Sequence, residues 1–143
     1  MKKIISLLFA LIIILYSSAE ARSIMYANAN PNYPIWMTGN RGGSALDLTS
    51  SVEIPIGYQY IQFCSLNYFL WYERGDGETY EYGKLEPNGY IYFREYKDGR
   101  GLFYALSDVP TNDLEWKKVE LDSVFDYNIN DVYYLVKERV KNK

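Results

Sequence analysis

Tyr68, Tyr72, Tyr90 and Tyr92, with Glu81 and Arg94, are the residues of this chain whose types and spacing suit recognition. On a pleated sheet, side chains alternate between two faces, and propagating that alternation through the turns of residues 66–106 puts all six on one side. Tyrosine offers rigid, amphipathic area for stacking on a sugar ring or clasping a peptide, while the carboxylate and guanidinium would orient the ligand. The same rings would equally serve as the seat of a helix. A cross-strand Glu81–Arg94 contact is by itself an ordinary solvated ion pair worth under about 1 kcal/mol.

Catalytic readings find less support. The chain has no histidine and a single cysteine, Cys64, which removes Ser-His-Asp and Cys-His nucleophiles and zinc sites built on imidazole or thiolate. Glu73 and Glu78 flank one expected hairpin, but glycoside hydrolysis needs two acids at a set distance in a cleft, and nothing in the sequence builds that cleft. Asp126-Tyr127-Asn128-Ile129-Asn130-Asp131 begins like a calcium loop, yet Asp131 stands where glycine is needed and Lys137 where the bidentate glutamate belongs. Arg74-Gly75-Asp76 is an integrin-type tripeptide at an expected hairpin tip, where a turn wants Gly and Asp in any case. Gly39-Asn40-Arg41-Gly42-Gly43 lacks the lysine and spacing of a phosphate loop and reads as a hairpin turn. These observations favour a non-enzymatic binding protein with no cofactor, no metal and no catalytic residue. The alternatives are an extracellular carbohydrate-active enzyme or carbohydrate-binding module, and a purely structural envelope protein.

The elements that must position these residues are short runs rich in Tyr, Phe, Trp, Ile and Val, separated by Gly, Pro, Asn and Asp. Strands are expected at 23–27, 33–38, 44–48, 52–54 and 58–73, the last as one bent strand or two. A four-residue loop at Arg74 to Gly77 would set Trp71 opposite Tyr80 and Phe69 opposite Tyr82, and the next turn, Asn88-Gly89 or the four-residue Glu86 to Gly89, and a third at Asp98-Gly99 keep the same residues on the same side. Phe69, Trp71, Tyr80, Tyr82, Ile91, Phe93, Leu102, Tyr104 and Leu106 then form a core face. Tyr68, Leu70, Tyr72, Thr79, Glu81, Tyr90, Tyr92, Arg94, Phe103 and Ala105 form the other. Near 130–141 a helix is expected, with Asn130 as cap, Asp131 in the first turn and Val132, Leu135, Val136 and Val140 on one side. That stripe must bury on the tyrosine-rich face or on the early strands. The fold class is α+β: an antiparallel, meander-like sheet, open or barrel-like, with one C-terminal helix.

Lys2 and Lys3, the 13-residue apolar run Ile4 to Tyr16 and the small-residue site ending at Ala21 have the form of a signal peptide, with cleavage expected after Ala21. The run is short of the roughly 20 residues of a spanning helix, so no stable membrane span is expected after cleavage. Residues 22–143 suit one exported domain, secreted or retained in the periplasm or envelope. Removing Lys2, Lys3 and Glu20 moves the net charge from -3 to about -4, which offers no footprint for nucleic acid. The expected partner is a protein or a glycan. Cys64, in the apolar run Ile61 to Leu66, reads as a buried small side chain and has no intramolecular disulfide partner.

An export signal, a short strand, Leu46-Asp47-Leu48-Thr49-Ser50-Ser51-Val52, a run of aromatic-rich strands and then Glu115-Trp116-Lys117-Lys118-Val119 follow one another here. This order resembles small exported bacterial proteins of the surface-adhesin protein E type, over about Met25 to Val119. The resemblance implies a sheet-plus-helix envelope domain and, for some members, adhesion to host proteins. The chain departs from the group in lacking its cysteine pair, and no binding residue is carried over.

Overall fold

The computed structural model describes residues 24–72, 83–121 and 126–143, the side chains of residues 126 and 127 excepted. Ala21, Glu73, Arg74-Gly75-Asp76, Glu78, Thr79, Tyr80, Glu81 and Tyr82 lie outside the described residues. The chain forms β1 (Ile35–Thr38), β2 (Gly42–Leu46), β3 (Val52–Ile54), β4 (Tyr60–Trp71), β5 (Leu85–Tyr96), β6 (Gly101–Ser107), β7 (Lys117–Lys118) and α1 (Asp126–Lys141), with single 3-10 turns at Ala27–Ala29 and Leu48–Ser50. Every strand pair is antiparallel, in the order β1-β2-β4-β5-β6-β7. β2 and β3 share one edge of β4, β2 along Asn67 to Trp71 and β3 along Gln62 to Cys64. Among the described residues β1 and β7 do not pair, so the sheet is a curled half-barrel with one helix, an α+β fold.

The core forms where alternation on β4 and β5 meets the helical stripe. Phe63, Ile91 and Phe93 project from one sheet face onto Ile129, Val132, Tyr133 and Val136 of α1, with Trp36, Leu46 and Leu48 closing the side. Phe93, Ile91, Val132 and Val136 are 0% exposed, and each such side chain contributes roughly 1.5–3 kcal/mol by leaving water. Polar groups caught in this layer pair with one another: Trp36 Nε1 donates to Asn67 Oδ1 at 2.9 Å, and the Ser51 and Ser65 hydroxyls meet at 2.7 Å. Close approach of β2 to β4 requires glycine at 42, because a Cβ there would stand 2.4 Å from the Leu70 carbonyl oxygen and 2.5 Å from the Phe69 ring.

Three sequence expectations are corrected. Asn88-Gly89 is not a turn but a bulge within β5: pairing steps from Leu66 opposite Tyr90 to Tyr68 opposite Pro87, so β5 carries one extra residue there. Gly89, at φ +74°, takes the left-handed conformation that such a bulge demands. β5 therefore stays paired as far back as Leu85, and Trp71 exchanges backbone hydrogen bonds with Gly83 and Lys84 rather than facing Tyr80. Phe69 faces Glu86, not Tyr82. The physical reason is length: β4 runs for 12 residues, enough to hold its partner beyond the glycine. The second correction is the start of the helix. It begins at Asp126, which makes Asn130 an interior residue and not the cap, because one more turn adds Ile129, 2% exposed, to the buried stripe. The segment 23–27 is also not a strand: Tyr26 makes an isolated bridge to Pro34 and the chain turns at Ala27.

Candidate functional site

The helix takes the face of Phe63 and Phe93, so the opposite face of the sheet carries the tyrosines without a helix over them. Cys64, Leu66, Tyr68 and Leu70 of β4 share that side with Tyr90, Tyr92 and Arg94 of β5 and with Phe103 and Ala105 of β6, as the ladder pairs them. Tyr68, Tyr72 and Tyr90 are partly exposed, whereas Tyr92 is buried at 3% exposure. Three of the four expected rings thus reach solvent, and Tyr92 is part of the packing.

Tyr68 lies edge-on against Tyr33, with ring centroids 5.9 Å apart. Burial, then the neighbouring Asp47 and Tyr33, push its hydroxyl above the usual tyrosine range. Tyr72, at the end of the row, donates its backbone N–H to the Arg41 carbonyl at 3.1 Å. It borders a cavity of about 560 Å³ shared with Met25, Ile35, Leu70 and Gly83. At that rim Asn28 and Ala29 both adopt left-handed φ, 54° and 55°, and the Asn28 amide donates to the Gly83 carbonyl at 2.7 Å. Left-handed alanine costs roughly 1–2 kcal/mol, so surrounding packing holds this turn in place.

Tyr90 and Tyr92 sit 6.5 Å apart by ring centroid and floor a second groove, of about 380 Å³, with Cys64, the side walls Val52 and Ile54, and residues 110–112 opposite. The Thr111 N–H points at the Tyr92 hydroxyl oxygen at 3.4 Å. Burial, then the Cys64 and Tyr90 neighbours against the Thr111 N–H, leaves the Tyr92 hydroxyl above its usual range. Burial likewise raises the Cys64 thiol, opposed by a hydrogen bond with Tyr92. At neutral pH Cys64 is a thiol and a poor nucleophile.

Arg94 is the most constrained member of the set. Its Nε and Nη2 donate to Gln62 Oε1 at 3.1 and 2.8 Å, and Nη1 reaches the Tyr96 hydroxyl at 3.5 Å. The guanidinium carbon lies 4.0 Å from the Tyr60 ring centroid and 4.1 Å from that of Trp116. Its cross-strand neighbours are Gln62 and Phe103, which replaces the expected Glu81–Arg94 pair. The sequence reading missed Gln62, Tyr60 and Trp116. For Gln62 and Tyr60 the signal existed in the alternation of β4, but Trp116 arrives from a segment with no periodicity.

Among the described residues no group of three or more His, Cys, Asp or Glu side chains gathers as a metal site. The Asp126–Asp131 stretch is helical backbone, so the loop that would wrap calcium is not formed. One acid is held by specific donors on the helix side. Tyr133 Oη and Lys137 Nζ both donate to Glu95 Oε2, at 2.5 and 2.6 Å. Burial would raise the Glu95 carboxyl, but those hydrogen bonds and the charges of Lys137 and Lys141 outweigh it and hold it below its usual range. Burial and the bond to Glu95 push the Tyr133 hydroxyl far above its own. An acid kept ionised and a phenol kept protonated clasp the helix to the sheet and are poorly matched to proton transfer near neutral pH. No protein-family model, curated protein or solved structure matches this chain.

Proposed function

We propose that this is an exported domain, secreted or held in the bacterial envelope, that acts by binding a protein or glycan and not by catalysis. Recognition runs over Tyr68, Tyr72 and Tyr90, with Arg94 giving orientation and Tyr92 supporting the floor. Glu81, the sixth residue of the set, lies outside the described residues. The observation that carries this reading is the position of α1 on the face of Phe63 and Phe93, which leaves three partly exposed tyrosines and two cavities on the other side. Cavities walled by aromatic and aliphatic side chains with a few polar groups are how proteins hold small ligands and peptide segments. The signal-like leader and the resemblance to surface-adhesin protein E proteins favour an extracellular, adhesive form of this role.

The test is amide-shift mapping of residues 22–143 against a panel of cell-wall fragments, host-type glycans and matrix peptides. Saturable shifts clustered on Tyr68, Tyr72 and Tyr90 are expected. No shift with any member of the panel, together with slow hydrogen exchange at those amides, would make the tyrosines sheet packing alone and leave the structural envelope role in their place.

A further inference from the structure

Residues 108–116 join β6 to β7 with no helix or strand. Among the described residues no backbone–backbone hydrogen bond ties this segment to the sheet. Its polar ties at the start are local, Ser107 Oγ to the Val109 carbonyl at 2.7 Å and the Asp113 N–H to Thr111 Oγ1 at 3.0 Å. What fastens it across the tyrosine face is the long Thr111–Tyr92 contact at 3.4 Å and the Trp116 ring over Arg94. Beneath Thr111 lies buried Tyr92, and half-buried Cys64 lines the adjoining groove with Val52 and Ile54. A segment with so few ties opens locally far more often than the ladder it covers.

The chemistry of the seat says what else would fit. Gln62 and the Tyr96 hydroxyl take the edges of the Arg94 guanidinium, and Tyr60 backs one of its planes. The plane that remains is the one Trp116 covers. A guanidinium presented by its plane attracts an aromatic ring, whereas a carboxylate or sulfate would need the fork that is already used. The groove walls are aliphatic and aromatic, suited to apolar or proline residues such as Pro110, which lines it now.

Resting on the reading of this face as the binding surface, we propose that residues 108–116 form a displaceable strap that occupies, in cis, a groove for an extended peptide bearing an aromatic side chain. The strap is a stand-in for the ligand: its indole marks where the aromatic residue docks, and its 110–112 portion marks the path over Tyr92. Opening widens the groove that Tyr90, Tyr92 and Cys64 already line and uncovers more of Tyr92.

Cys64 is a built-in reporter: it is half-buried in the groove that residues 110–112 also line, so lifting the strap is expected to widen access to it and speed its labelling. The experiment compares its labelling rate in the protein, in Trp116→Ala, in Trp116→Phe and in Val136→Ala, a core variant that lowers global stability without touching the strap. Loss of the cation–π latch is expected to speed labelling roughly tenfold in Trp116→Ala, less in Trp116→Phe, and little in Val136→Ala. A synthetic peptide of residues 108–118 should slow labelling of Trp116→Ala at least about threefold at saturation, and the same peptide with alanine at the tryptophan should not. Equal rates for Trp116→Ala and the unaltered protein, or equal acceleration by Val136→Ala, would overturn the strap. Acceleration without protection by the peptide would overturn the peptide groove. Because no outside ligand is needed, an empty result from the glycan and matrix panel does not decide this experiment, nor this one that panel.

Discussion

At Glu95 one carboxylate oxygen receives the Tyr133 hydroxyl and the Lys137 ammonium, which ties α1 to β5 across the core boundary. Burial would raise the carboxyl, yet those hydrogen bonds and the lysine charges win and its folded value is lowered. A group whose folded pKa is depressed contributes stability above the unfolded carboxylate value, about 4.3, and loses it as pH falls through the folded value. Glu95→Gln is therefore expected to cost on the order of 1 kcal/mol near neutral pH. The gap from the unaltered protein should close as urea unfolding is repeated at successively lower pH below the carboxylate range. A gap independent of pH would show that the charge is not what matters. On the outer face, neighbouring tyrosines are expected to differ. Tyr92→Ala empties a buried position and should cost about 3 kcal/mol, while the same change at partly exposed Tyr90 should cost under about 1.5 kcal/mol. Denaturant midpoints of the two variants decide it.

Two elements carry features that sequence periodicity alone misplaces. Within β5 the bulge at Gly89 needs a positive φ, and a Cβ there would stand 2.3 Å from the Ser107 carbonyl oxygen. Gly89→Ala should destabilise by more than about 2 kcal/mol through strain and displacement of β6, seen as a lowered thermal midpoint. A hairpin turn at the same residues would also need glycine, but it would end the pairing that Leu85 and Glu86 maintain with β4. In α1, Asn130→Ala tests the extended start. As an N-cap its loss would cost about 1 kcal/mol, whereas inside the helix alanine is neutral or better by up to about 0.5 kcal/mol. Ile129→Ala, by contrast, should cost about 2–4 kcal/mol, because that residue belongs to the buried stripe.

Across the whole molecule, stability and accessibility are expected to separate by face. The helix side holds Phe63, Ile91 and Phe93 against α1, and the end of α1 is tied down where Lys143 Nζ donates to the Thr49 and Ser51 carbonyls at 3.0 and 2.7 Å. The outer face is covered near Tyr92 by the strap and at its Leu70–Tyr72 end by Ala27, Tyr33 and Ile35, leaving the stretch around Tyr90 and one side of Tyr68 partly exposed. Hydrogen exchange should report this division: central amides of β4 and β5 exchanging only through global unfolding, and those of 108–116 by local opening at far lower free energy. Uniform protection across both would contradict a sheet with one rigid and one accessible side.

Much of this was legible in residue order, for identifiable reasons. Glycine and proline punctuation with aromatic runs specified strands near β1 to β6, and the turn at Asp98-Gly99 emerged where expected, between Tyr96 and Gly101. Because side chains on a strand alternate with period two, Ile91 and Phe93 on one face and Tyr90, Tyr92 and Arg94 on the other followed from sequence alone, even though the hairpin before them was misplaced. A shift between turn and bulge at Asn88-Gly89 preserved that parity, so the error moved partners without exchanging faces. What local pattern cannot contain is which of two apolar surfaces a helix prefers, since that depends on the summed burial of Trp36, Leu46, Phe63 and Phe93, residues brought together only by pairing. The same holds for Trp116 over Arg94 and for the burial of Tyr92: an irregular segment has no period to read, and its place over the sheet was decided by tertiary structure alone.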